Sequence, residues 1–377
     1  MNMSKTLRKF APAFAFSALA FSASALMAEL PSSPLSEEYT ITGSETIHGE
    51  WWNTYEVASG GVLNILGDYA QLQVNYAFNY SPTFSGEGIV NIGSGAEYGR
   101  MIVTSAAEFG DNWNNIINFT GTINVGERGD FSISGTYPSH YGTIFYVGTL
   151  NVNGTVSVMS ATSGNVSYFG IKNLSIGANG MLSSEIDLRT ADGGVYDIYG
   201  SGLSAPRIRA GTGTSALNLR AQNVLANLAT IDFESNKDSA LKINAEASNS
   251  LNALTFYSNS ALELSIAEGQ TFLIKSLKVR GDGGENLSIA FHNYESGSFL
   301  IGNSDVSIED NRIYLPSNDV YIDLIAYGAG GEILSGAWSL EWNGEANALM
   351  FAVPEPAGFA LAFGALAAAF AAARRRR

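Results

Sequence analysis

The chain has 377 residues, of which 41 are Gly and 31 Asn, with 15 % charged and no Cys. So little charge, against a usual ~25 %, disfavours helical bundles and coiled coils and suits strands joined by tight turns, and the lack of Cys excludes disulfides, thiolate metal sites and cysteine nucleophiles. Net charge is −15, and since seven of the 20 basic residues and one of the 35 acidic ones lie in the two ends, the stretch between them stands near −21, which would repel a phosphate backbone and excludes nucleic acid as a partner.

Residues 1–28 open with Lys5, Arg8 and Lys9, continue as an apolar run from Phe10 to Ala20, and end in Ser and Ala. A positive start, an apolar middle and small residues before a cut describe a secretory signal helix. Cleavage is expected after Ala28, with Ala25 the alternative. Signal peptidase and the Sec machinery are then partners. The alternative reading is an uncleaved anchor. Residues 29–58, with Pro31, Pro34, Glu37, Glu38, Trp51 and Trp52, are expected to cap the start of the body.

Residues 59–310 repeat. An aliphatic residue, Asn or Ser, and a second aliphatic recur at Leu63-Asn64-Ile65, Val90-Asn91-Ile92, Ile123-Asn124-Val125, Leu150-Asn151-Val152 and Leu174-Ser175-Ile176. The spacings are 27, 33, 27 and 24 residues. A second alternating run follows each, at Gln71–Val74, Arg100–Val103, Phe131–Ile133, Val156–Val158 and Met181-Leu182. Weaker echoes lie at 217–219, 241–243, 262–264, 277–279, 287–289 and 306–308. Period-two alternation sends both aliphatics to one face and the Asn to the other. Glycine turns such as Gly93-Ser94-Gly95 and Gly126–Gly129 would supply positive φ. One such unit cannot bury its own apolar face, but stacked units can. The expected fold is mainly β: a parallel, right-handed β-solenoid of irregular 24–33-residue repeats and roughly ten rungs. Asn side chains turned inward would stack as a hydrogen-bonded ladder. A β-sandwich of hairpins is the other architecture, above all after residue 240.

The body offers little catalytic chemistry. His48, His140 and His292 share no metal-ligand spacing, and acids seldom recur at matching repeat positions. Arg128-Gly129-Asp130 and Arg280-Gly281-Asp282 read as turns, as do the acidic glycine loops at 191–194 and 281–285. Catalytic residues, metal and cofactors are accordingly expected to be none. Tyr76–Phe84 reads as a lateral insert or a sugar-stacking patch. Residues 311–352 are expected to cap the end, with Tyr321–Tyr327 as an apolar strand and Trp338 and Trp342 on one face of the next.

The tail, 353–377, has three parts. Val353-Pro354-Glu355-Pro356 is stiff and extended. Residues 357–373 carry no charge and as a helix would span ~25 Å, near the short limit for a bilayer. Arg374, Arg375, Arg376 and Arg377 form a basic stop expected to stay in the cytoplasm.

These three parts, in this order, resemble the PEP-CTERM sorting domain of Gram-negative bacteria. The resemblance covers about 25 residues. It implies that an exosortase recognises Val353–Pro356, cuts near there, and passes the body to the outer surface or an exopolysaccharide matrix of a biofilm-forming cell. A plain C-terminal membrane anchor is the alternative. The repeat texture over residues 60–310 is also similar, more weakly, to bacterial autotransporter passengers and adhesins. The expectation is an exported, exosortase-sorted, non-enzymatic surface or matrix protein, structural or adhesive, anchored through 357–373 before processing, with exopolysaccharide as a partner. The alternative is a secreted carbohydrate-active β-helix enzyme.

Overall fold

A computed structural model describes residues 30–48, 54–76, 84–105, 117–135, 144–160, 168–234, 238–280, 285–327, 331, 333 and 338–352. The expected signal segment 1–28 with Ala28, the motif Val353–Pro356, the expected helix 357–373 and Arg374–Arg377 lie outside these residues. No helix among the described residues is long and apolar enough to cross a membrane.

The body is a parallel β-solenoid with a repeat of about 26 residues. Each rung places three short strands on three sides. The first described rung is Glu38–Ile41, Ser44–His48 and Tyr55–Val57. The next rung stacks on it in parallel: Val62–Ile65 on the first side, Gln71–Tyr76 on the second and Phe84–Gly86 on the third. Stacking thus begins within the segment 29–58.

On the first side the register is unbroken through twelve described strands. Leu63 pairs with Val90, Val90 with Ile123, Ile123 with Leu150 and Leu150 with Leu174. Leu174 pairs with Tyr196, Tyr196 with Leu217, Leu217 with Ile243, Ile243 with Leu264 and Leu264 with Phe291. All ten are buried. The second side stacks Leu72, Met101, Phe131, Val156, Leu182 and Leu203 in the same way. Each fully buried aliphatic or aromatic side chain contributes ~1.5–3 kcal/mol, so the interior column is what holds one rung on the next. The echoes at 241–243 and 262–264 fall two residues before the true register, which runs through Ile243-Asn244-Ala245 and Leu264-Ser265-Ile266. The echo at 306–308 belongs to an antiparallel hairpin.

The far end is closed by a change of direction. Arg312–Leu315 pairs antiparallel with the start of Val320–Tyr327, and Ala348–Ala352 lies antiparallel on Phe299–Ile301. Phe291, Tyr294, Phe299, Trp338 and Phe351 pack beneath them with centroids 5.0–6.1 Å apart. Trp338 is buried and Trp342 is 56 % exposed, so the two rings do different work.

Some turn glycines supply positive φ as expected, such as Gly60 and Gly193, and others serve close packing instead. Gly93 has φ +63, but Gly126 and Gly129 are not in the left-handed region. At Gly129 a Cβ would lie 2.1 Å from the carbonyl oxygen of Ile92. The corner brings successive backbones too close for a side chain. Positive φ is shared between Gly and Asn, the latter including Asn223, Asn259, Asn286 and Asn293, whose short polar side chain tolerates that conformation.

Candidate functional site

Between the inward aliphatics of the first side, the alternate residues face out. They form one column: Thr40, Asn64, Asn91, Asn124, Asn151, Ser175, Asp197, Asn218, Asn244, Ser265, His292 and Tyr327. The Asn ladder therefore forms on the outer face rather than inside. Asn64 Nδ2 donates to Glu38 Oε1 at 2.8 Å, Asn91 to Asn64 Oδ1 at 2.7 Å, Asn124 to Asn91 Oδ1 at 2.8 Å and Asn151 to Asn124 Oδ1 at 2.8 Å. A second run starts at Asp197, whose Oδ1 accepts Asn218 at 2.9 Å, and Asn218 Oδ1 accepts Asn244 at 2.7 Å. Both runs end on a carboxylate. Within the ladder Asn91 and Asn124 each use one N–H and one oxygen lone pair, leaving a second N–H and a second lone pair, whereas the buried Asn64 also donates to Thr40 Oγ1 at 3.4 Å. The column ends in aromatic rings, with His292 stacked on Tyr327 at 5.1 Å and 8°.

Two grooves flank this column. One, of about 540 Å³, follows Asn64, Asn91, Asn124 and Asn151, with Leu66, Gly93, Ser94 and Asn153 on its other side. Among the described residues its lining contains no ionisable side chain. The other, of about 560 Å³, runs beside Asn244 and Ser265 and is lined by Glu246, Glu268 and Glu295.

The third side carries charge that the repeat spacing does not reveal. Arg189 lies directly opposite Arg209, and Arg209 opposite Asp232. Charges resolve between rungs. Arg189 Nη2 sits 2.6 Å from Glu234, Arg209 Nε 2.7 Å from Asp187, and Arg207 Nη1 2.9 Å from Asp232. Arg189 also donates to Tyr168 Oη at 2.8 Å and lies over that ring. Burial works against the Arg189 charge, yet hydrogen bonding and charge from Glu234, with Tyr168 adding, hold its pKa above the ordinary value. Three guanidinium groups face three carboxylates, so the cluster is neutral and internally paired.

Other candidates fall into place singly. Asp130 of the first Arg-Gly-Asp is paired with Arg100 at 3.1 Å, and Arg128 Nη1 donates to the Ala96 carbonyl. Residues 191–194, expected as a turn, lie instead within the strand Asp187–Ile198, where its register to Tyr168–Ile176 shifts, and Asp192 accepts the Thr214 amide at 3.0 Å. Residues 281–284 and His140 lie outside the described residues. His292 Nε2 is 3.4 Å from Glu263. Among the described residues no group of three or more His, Asp or Glu could hold a metal. No protein family, curated protein or solved structure matches the chain.

Proposed function

We propose that this chain is an exported, non-enzymatic protein of the outer cell surface or extracellular matrix, delivered by its two ends and displaying its solenoid as a structural or adhesive rod. The observation that carries the reading is the tripartite tail, Val353–Pro356, the uncharged 357–373 and Arg374–Arg377, opposite an N-terminal signal segment ending at Ala28. Both basic ends favour the cytoplasmic side, which puts the body across the membrane. An exosortase is the enzyme such a tail calls for, with exopolysaccharide the matrix it leads to, in a Gram-negative host. A right-handed winding follows the general preference of parallel crossovers.

The body supports this reading in two ways. Its outer column is built from uncharged amides and hydroxyls over most of its length, and the three arginines and three carboxylates of the third side are mutually paired. The experiment is twofold: protease shaving of intact cells, and incubation of the secreted protein with a panel of polysaccharides. Surface digestion without glycan turnover is expected. Turnover of any glycan would overturn the non-enzymatic reading.

The second reading, a carbohydrate-active β-helix enzyme, draws on Asp187, Asp232, Arg207 and Arg209 meeting on one side. Both grooves described above run along the other side, beside the amide column.

A further inference from the structure

We propose that the amide column from Asn64 to Asn151, with its adjoining groove, is a binding track for a linear, uncharged polysaccharide lying parallel to the solenoid axis. The proposal rests on the surface or matrix reading and names the ligand class for it.

The geometry is a repeat. Neighbouring rungs are ~4.8 Å apart, so Asn91, Asn124 and Asn151 offer a free donor and a free acceptor at constant intervals along a line, with the buried Asn64, which donates to Glu38 and Thr40, as its fixed end. Their hydrogen bonds to one another and to Glu38 hold these groups in place before any ligand arrives, which lowers the ordering cost of binding. A polymer of hydroxyl-bearing rings can meet such a line with many equivalent donors and acceptors, each modest alone and additive along the chain. The groove gives the track a wall, with half-buried Leu66 available to the C–H face of a sugar and Ser94 and Asn153 to its hydroxyls.

Charge selects the ligand. Among the described residues the groove has no ionisable lining side chain, in a body near −21. Nothing in it neutralises an anion, and the surrounding field repels one. A cationic polymer would be drawn instead to the groove lined by Glu246, Glu268 and Glu295. A peptide strand is disfavoured because the track is the face of a sheet, where backbone N–H and C=O groups are already paired between rungs, and strand addition needs an edge.

The test uses the full-length protein and three probes: cellohexaose and mannohexaose as linear neutral glycans, and hexaguluronate as an anionic one. Calorimetry is expected to show binding of at least one neutral hexamer and none of the anionic one. Asn91→Ala with Asn124→Ala should weaken that binding about tenfold or more, as expected for losing roughly 1.4 kcal/mol or more of contacts. Asn244→Ala removes an equivalent ladder amide outside this groove and should leave affinity unchanged. A melting curve for each variant separates loss of fold from loss of contact, and amide exchange on the unsubstituted protein should show protection confined to strands Val62–Ile65, Ile89–Ile92, Ile117–Val125 and Ile144–Val152. Binding of neither neutral glycan, equal loss in the Asn244→Ala variant, or stronger binding of hexaguluronate would overturn the track. Surface display without glycan binding would leave the proposed function standing and remove the track; glycan binding by a protein absent from the surface would do the reverse.

Discussion

The Glu38 carboxylate accepts the Asn64 amide at 2.8 Å, and that contact orients every amide stacked above it. A carboxylate only accepts, so Asn64 must turn Nδ2 toward Glu38 and Oδ1 toward Asn91. Asn91 then repeats the choice for Asn124, and Asn124 for Asn151. Asp197 imposes the same sense on Asn218 and Asn244. The ladder is polar, with its acceptor end anchored at the first rung.

The ladder's share of stability is measurable. Asn91→Ala removes two side-chain hydrogen bonds at a partly exposed site, where water recovers some of the loss. A destabilisation of about 1 kcal/mol is expected, read from the shift in urea midpoint at constant slope. Glu38→Gln should cost less, because an amide can still present its oxygen to Asn64. A larger loss for Glu38→Gln than for Asn91→Ala would contradict the anchoring argument.

The same substitution at two tyrosines should give opposite signs. Tyr196 is fully buried in the first-side column, with its hydroxyl 3.2 Å from the carbonyl oxygens of both Ile171 and Arg189. Burial pushes its pKa far above the ordinary value. Tyr196→Phe should destabilise by about 1 kcal/mol. The buried Tyr55 hydroxyl has no hydrogen-bond partner among the described residues, and burial, with Tyr39 adding, pushes its pKa up to about 12. Tyr55→Phe removes an unsatisfied polar group and should leave stability unchanged or raise it. Thermal melts of the two variants side by side check the pair; a loss at Tyr55 equal to that at Tyr196 would refute it.

At Gly129 the prediction is steric. An added Cβ meets the Ile92 carbonyl at 2.1 Å, backbone that cannot swing away. Gly129→Ala should cost about 1–3 kcal/mol as the corner is forced apart. Gly269, with φ +71 and open space around its Cβ position, would suffer only from its backbone angle. Chemical denaturation of both variants should rank Gly129→Ala as the more damaging.

How much of this was legible follows from which signals are local. The first five aliphatic-polar-aliphatic triplets all lie on the column, because their spacing counts one rung per repeat and period two settles which residues face in. The second runs, from Gln71–Val74 to Met181-Leu182, align equally well. At 241–243 and 262–264 the triplet pattern matches alternate residues of a longer strand, and a slip of two keeps the buried face while missing the ladder position, whereas Leu277-Lys278-Val279 lies on the third side. Tyr196-Asp197-Ile198 escaped notice because neither its ring nor its carboxylate fits the pattern, although its spacing does. The Arg-carboxylate cluster was invisible for another reason. Arg189 and Glu234 are 45 residues apart and meet across two rungs whose stacked positions, Arg189, Arg209 and Asp232, are 20 and 23 residues apart, outside the 24–33-residue spacing. Asp187 and Arg209 stand 22 residues apart, and that spacing is the sequence signal of their contact.

Glu45 provides a pH test. It sits in the inward register of the second side, opposite Leu72, and burial raises its pKa above the ordinary glutamate value. The folded state then holds a proton that the unfolded state has released. Stability should fall as pH rises from the unfolded value through the raised folded value, and be level above it. Glu45→Gln lacks this penalty. Its advantage over the unsubstituted protein should be greatest near neutral pH and shrink as pH drops into the carboxylate range. Urea midpoints at stepped pH give the comparison; an advantage that grows on acidification would have the wrong sign.

The central claim is that the two ends are addresses and the solenoid is what they deliver. Intact mass of the protein recovered from the envelope or matrix of its host tests this most directly. The account predicts a chain beginning at Glu29 and ending near Val353–Pro356, without Arg374–Arg377. A mature protein that retains those four arginines would contradict it and leave a simple membrane anchor.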